Sequence, residues 1–131
     1  MEFVKSVLLI DDNPSCNFIM TEFIKLADHS IVVLCAESVP EALEILSKSA
    51  DVFPEVIYVD INMPVQNGFD FVEQYESAYQ MDHPSSKLFM LSSSLREEDK
   101  AKALKYKSVC NFVSKNEIDD FLQVTLMRKT A

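Results

Sequence analysis

Hydrophobic residues follow two rhythms along this chain, and the rhythms alternate. Short runs that are apolar at nearly every position occupy residues 5–10, 30–36, 56–60, 87–91 and 108–113. Runs this short, rich in Val, Ile and Leu and polar at their ends, predict strands buried on both faces. Between them, apolar residues recur at the three- and four-residue spacing of a helix with one buried face. Residues 15–27 carry Phe18, Ile19, Phe23, Ile24 and Leu26 in this way, behind Asn13 as a cap and Pro14 in the first turn, and are expected to turn those five inward. Ser38-Val39-Pro40-Glu41 has the form of a capping box, with Ala42, Leu43, Ile45 and Leu46 as the stripe behind it. Phe69, Phe71, Val72 and Tyr75 predict a third helix reaching residue 79. Residues 96–106 predict a charged fourth helix with a thin inner face of Ala101, Ala103 and Leu104. Residues 116–127 predict a fifth, carrying Ile118, Phe121, Leu122 and Leu126 inward. Five strand-helix alternations imply an α/β fold, a five-stranded parallel sheet with five helices on both faces.

Composition narrows this picture. A chain of 131 residues that is 48% hydrophobic holds one domain with a sizeable core. A net charge of -9 and a pI near 4.6 argue against nucleic acid and anionic membrane as partners, so any regulatory role runs through protein contacts. No leader follows Met1 and no apolar run approaches the roughly 18 residues of a membrane span, which makes a cytoplasmic location the expectation. Cys16, Cys35 and Cys110 are odd in number, far apart and set among apolar residues, so reduced, buried thiols are expected. His29 and His83 have no cysteine pair nearby and do not suggest zinc.

The chemistry lies where the strands stop. The first run ends at Asp11-Asp12, the third at Asp60, the fourth at Ser92-Ser93-Ser94 and the fifth at Ser114-Lys115. If the strands are parallel, all of these stand on the C-terminal rim of the sheet, where α/β folds bind ligands. Carboxylates gathered there repel one another unless a cation joins them, and hard oxygen donors suit Mg²⁺. Lys115 is placed to pair first with a carboxylate and then with a phosphoryl oxygen, and Ser92 to donate to the same group. Such a site fits phosphoryl transfer to a carboxylate, with Asp60 as the nucleophile. The chain uses glycine once, at Gly68, so a positive φ or a close backbone approach is expected there.

Asp11-Asp12, Asp60 within Asp-Ile-Asn-Met-Pro-x-x-Asn-Gly, Ser92 and Lys115, in this order on an alternating β/α pattern, resemble a response-regulator receiver domain of two-component signalling. The likeness covers nearly the whole chain and is to a stand-alone, chemotaxis-regulator-like domain, which implies a flavodoxin-like (βα)5 fold over residues 1–131 with no attached output domain. By that resemblance Asp60 is the phosphoacceptor, and the donor is a phosphohistidine on a sensor histidine kinase or histidine phosphotransfer protein. Mg²⁺ is then held by Asp12, Asp60 and the Asn62 carbonyl, with Asp11 acting through water. Ser92 and Lys115 bind the phosphoryl group, Phe112 turns inward, and the face of the fourth helix, fifth strand and fifth helix changes its affinity for a downstream protein. Asn62 and Ser94, beside Asp60 and Ser92, are candidates for tuning dephosphorylation. The resemblance departs at Asn116, where the family commonly has a proline after the lysine, and at Ser92, where threonine is commoner.

Two other readings stay open on the residues alone. One is a receiver-like binding module that works without phosphorylation, which Asn116 keeps in play. The other is a phosphatase that forms a phosphoaspartate during turnover; Asp11-Asp12-Asn13 lacks the Asp-x-Asp usual in such enzymes.

Overall fold

The computed structural model describes residues 2–49, 52–94 and 96–127. Strand and helix alternate as expected: β1 (Ser6–Ile10), α1 (Pro14–Ala27), β2 (Val32–Ala36), α2 (Val39–Ser47), β3 (Val56–Asp60), α3 (Gly68–Ala78), β4 (Lys87–Ser92), α4 (Glu97–Ala103), β5 (Val109–Ser114), a 3₁₀ turn (Lys115–Glu117) and α5 (Ile118–Thr125). The strands form one sheet in the order β2-β1-β3-β4-β5, and every neighbouring pair is parallel. All five carboxyl ends therefore share one rim.

Alternation along each strand divides the core into two layers. Leu8, Ile10, Ile57, Val59, Leu88 and Met90 meet Ala42, Leu46, Phe71, Val72, Tyr75 and Ala103 from α2, α3 and α4. Val7, Leu9, Val56, Tyr58, Phe89 and Leu91 face the other way, onto Met20, Ile24, Ile118, Leu122 and Leu126 from the α1 and α5 side. Central β1 and β3 are buried at every position. Edge strand β2 is not, and Val32 is 51% exposed.

Several expectations need correction. Of the five α1 residues expected inside, only Ile24 is buried; Phe18, Ile19, Phe23 and Leu26 are exposed, Leu26 at 81%. The buried line is Asn17, Met20 and Ile24, and among the described residues no second layer of structure covers the rest of the apolar arc. Phe23 and Leu26 instead line an open cavity of about 570 Å³ with Phe3, Leu122 and Met127. The fourth helix is shorter than its charge pattern suggested and buries Ala103 alone, leaving Ala101 and Leu104 exposed. In α5, Ile118 and Leu122 are buried, as is Leu126 just past its end, and Phe121 is partly so. The three cysteines are free thiols but not buried ones: Cys16 is half-buried, and Cys35 and Cys110 are exposed on the edge strands β2 and β5.

The loop after β3 holds the least expected geometry. Gly68 does not have a positive φ; Val65 does, at 66°. The Gln66 amide donates to the Pro64 carbonyl at 2.8 Å, closing a tight turn over a β-branched residue that is fully exposed. Gly68 is needed for the other reason foreseen, close approach. A Cβ there would lie 2.7 Å from the Asp60 carbonyl oxygen and 2.9 Å from Ile61 Cα. A capping box also starts α3, with Asn67 Oδ1 accepting from Phe69 and Asp70 amides and Asp70 accepting from the Asn67 amide.

Candidate functional site

Three strand ends bring the chemistry together. β1 delivers Asp11 and Asp12 just beyond Ile10, and the Asp11 amide donates to Ala36 O at 3.0 Å, which ties the chain to the end of β2. Asp60 is the last residue of β3, opposite Leu91, and Ile61 N continues the ladder to Leu91 O at 2.9 Å. Ser114 ends β5 and its Oγ accepts from the Asn116 amide at 3.2 Å, so Lys115 opens the 3₁₀ turn with its side chain over the rim. The ammonium of Lys115 donates to Asp11 Oδ2 at 2.6 Å and lies 3.4 Å from Asp60 Oδ1. Asp11, Asp12 and Asp60 each offer an oxygen within 4.8 Å of the others.

Asp11 and Asp60 are buried, at 4% and 5% exposure, and Asp12 faces solvent. Burial pushes the Asp60 carboxyl up to about 6. Lys115 works against that rise, Asp11 adds to it, and the Asn62 amide donates to the carboxylate and lowers it again. Burial disfavours the Lys115 ammonium, yet the Asp11 hydrogen bond and the two negative charges outweigh it, so its pKa is raised. The site thus concentrates negative charge that one ammonium only partly offsets. Hard carboxylate oxygens at this separation, open to water through Asp12, are a donor set that fits a small divalent cation.

Other expected residues are placed less directly. Ser92 is the last residue of β4 and fully buried, and its hydroxyl is already engaged, donating to Ser94 O at 2.5 Å and accepting from the Ser94 amide at 3.1 Å. Asn62 and Ser94 are exposed at the ends of β3 and β4. Phe112 pairs with Met90 across the sheet and is packed in the core at 4% exposure, so it points inward already. Among the described residues no peptide bond is cis, and Asn116 follows Lys115 in the ordinary trans form.

One contributor escaped sequence reading. Asn17, buried on α1, donates through Nδ2 to Asp11 O at 3.0 Å and to Ala36 O at 3.3 Å, pinning the ends of β1 and β2 together below the acids. Its signal was a polar residue three and seven positions before Met20 and Ile24 on one helical line, obscured by the louder apolar residues beside it. Cys16 lies near the site too, its thiol pushed up by burial and by Asp11.

Residues 7–126, the sheet with its covering helices, match the response regulator receiver domain. The chain belongs to this family. Receiver domains are signalling domains that interact with histidine kinases and downstream effectors. This one is 32% identical over 100 residues to the nitrate/nitrite response regulator protein NarL of Escherichia coli K12, which is 76% of this chain and 43% of that protein. It is 31% identical over 95 residues to the protein-glutamate methylesterase/protein-glutamine glutaminase of Methanococcus maripaludis, 72% of this chain and 24% of that protein. The chain therefore spans less than half the length of either. Among solved structures, a two-component response regulator from Cytophaga hutchinsonii is similar to the receiver domain with a TM-score of 0.82 and 32% identity, covering 95% of this chain and 98% of that one. Vibrio cholerae chemotaxis protein CheY4 is similar with a TM-score of 0.76 and 26% identity, covering 94% and 96%. No helix among the described residues is long and apolar enough to cross a membrane.

Proposed function

We propose that this receiver domain accepts a phosphoryl group on Asp60 from the phosphohistidine of a sensor histidine kinase or histidine phosphotransfer protein. The observation that carries the reading is the Lys115 ammonium set between Asp11 and Asp60 at 2.6 and 3.4 Å, with Asp12 beside them on the rim. An oxygen of the Asp60 carboxylate attacks phosphorus. The new O–P bond forms as the P–N bond to the donor imidazole breaks, and the bonding pair returns to that nitrogen. Lys115 gains an anionic partner in the phosphoryl oxygens while keeping Asp11 as its other. Asp11, Asp12, Asp60 and the Asn62 carbonyl would hold Mg²⁺, which supplies charge neutralisation to the transferring group.

Ser92 is the switch hydroxyl in this reading. Its proton is donated to the Ser94 carbonyl, so donating to a phosphoryl oxygen requires it to leave its own loop, and the β4–α4 segment moves with it. Phe112, already inward, stabilises the packed state of β5 instead of entering it anew. Asn62 and Ser94, exposed on either side, flank the approach of the water that hydrolyses the acyl phosphate and set its lifetime. The face of α4, β5 and α5 then changes its affinity for a downstream protein. A net charge of -9 supports protein over nucleic acid or anionic membrane as that target, and phosphotransfer from a sensor kinase would put the site of action in the cytoplasm.

Incubation with acetyl phosphate and Mg²⁺ followed by intact-mass measurement tests the proposal. One phosphoryl increment, absent in Asp60→Asn and in EDTA, is the expected result. No adduct would leave the unphosphorylated binding module, and steady release of phosphate from a generic phosphoester would favour a phosphatase.

A further inference from the structure

The fourth helix is poorly equipped to hold itself in place. α4 has seven residues, one buried side chain, and Arg96 at its cap position with no side-chain hydrogen bond there. So short a helix has little stability of its own in water and depends on what it packs against. It packs on β5, and the polar and aromatic attachments of α4 and of the turn that follows it lead to α3. Lys102 Nζ lies over the Phe69 ring, 4.4 Å from its centre, and Tyr106 stacks on the same ring at 6.3 Å. The Tyr106 hydroxyl donates to Glu73 Oε2 at 2.9 Å. One turn further along α3, Glu76 Oε2 accepts both the amide and the hydroxyl of Ser108, at 2.8 and 2.7 Å. Ser108 is buried at 7% exposure, so its amide has nowhere else to turn if that carboxylate leaves.

The opposite end of α3 rests on the site. Gly68 packs against the Asp60 carbonyl and Ile61 with no space for a methyl group, and its amide donates to Ile61 O at 3.1 Å. Phe69 follows immediately, with its ring under Lys102 and Tyr106.

We propose that Glu73, Glu76 and Phe69 form a clamp through which α3 relays the state of Asp60 to the segment from α4 to the start of β5. The clamp holds residues 97–108 docked while Asp60 is unmodified, and a backbone adjustment at Asp60 reaches them through the Gly68 contact. Glu73 and Glu76 are positioning residues and touch no reacting atom. The inference rests on the phosphoacceptor reading for its trigger, while the clamp itself does not need a donor to be identified.

Hydrogen-deuterium exchange by mass spectrometry, with beryllofluoride and Mg²⁺ as the phosphoryl mimic, tests it. In the unmodified protein, residues 97–108 are expected to be protected, and Glu76→Ala to speed their exchange about tenfold, the scale of one or two lost hydrogen bonds. Glu76→Gln, which keeps an acceptor for Ser108, should restore most of the protection. The mimic should change exchange in 97–108 of the wild type, and that response should be lost in Glu76→Ala. Protection in β1 and β3 reports whether the variant is folded; if it is not, Tyr106→Phe, which removes one hydroxyl, is expected to loosen 103–108 and blunt the response. The clamp is overturned if wild-type 97–108 exchanges like unstructured chain, if these variants leave its exchange and its response unchanged, or if the mimic does not alter it in a protein that acetyl phosphate labels. Labelling by acetyl phosphate should be equal in all of them; its absence in the wild type would sink the phosphoacceptor reading and leave the ground-state clamp standing.

Discussion

Replacing Asp60 by asparagine should make the metal-free protein more stable. The carboxyl is pushed up to about 6 from an ordinary 3.8, chiefly by burial. The folded state therefore binds the carboxyl proton more tightly than the unfolded chain does. The stability tied to that proton is fully present below about pH 3.8 and is lost as pH rises through about 6. Each tenfold change in proton affinity is worth ~1.4 kcal/mol, which puts the ceiling on the penalty near ~3 kcal/mol. Water reaches the site beside Asp12, so ~1–2 kcal/mol is the magnitude expected. The asparagine amide cannot ionise and escapes the penalty, and Lys115 keeps Asp11 as its partner at 2.6 Å. Urea or thermal unfolding in EDTA at pH 7.5 should show Asp60→Asn ahead, by roughly 2–8 °C in Tm for each kcal/mol. The gap should close below about pH 4, where the wild-type carboxyl is protonated, and shrink or invert with millimolar Mg²⁺, which binds the wild type better. A variant no more stable at pH 7.5, or ahead by the same margin at pH 4 and 7.5, would refute the account of Asp60 as a buried charge in want of a cation.

Four other outcomes follow from the same geometry. Gly68→Ala should destabilise the fold by ~1–3 kcal/mol in urea unfolding, despite the better helix propensity of alanine, because the methyl meets backbone of Asp60 and Ile61. Val65→Asn should gain ~0.5–1 kcal/mol in the same assay by relieving a positive φ at a side chain that packs against nothing. Lys115→Met should cost ~1–3 kcal/mol in EDTA at pH 7.5, leaving two buried carboxylates without their ammonium, and Mg²⁺ should recover part of the loss in the same melt. Ile24→Ala should cost ~2–5 kcal/mol in urea unfolding, whereas Phe18→Ser, on the same helix but exposed, should stay within ~0.5 kcal/mol.

Much of the site was legible before folding was considered. Asp60 and Lys115 are 55 positions apart, yet each ends an apolar run, and parallel strands of similar length leave such residues on one rim. The two-sided burial of β1 and β3 was equally plain, since a run without polar positions has no face to give to water. The strain at Val65 was not legible. Pro64 and Asn67-Gly68 marked a turn, and nothing local assigned the positive φ to a valine instead of the glycine.

What the sequence determined by itself is the periodicity: five apolar runs, five helical stretches and the polar residue at which each run halts. Those are local properties, set by backbone spacing and by the cost of burying a polar group. Tertiary structure alone decided which apolar arcs are covered. Phe18, Ile19, Phe23 and Leu26 have the helical spacing of a core and stay in water, because burial depends on a second surface arriving over them, and α1 meets the sheet along the narrower line of Asn17, Met20 and Ile24. It also decided that Ser92 turns its hydroxyl to its own loop and that Glu73 and Glu76 reach across to the chain leading into β5. Such contacts join residues whose separation along the chain says nothing of their distance in space.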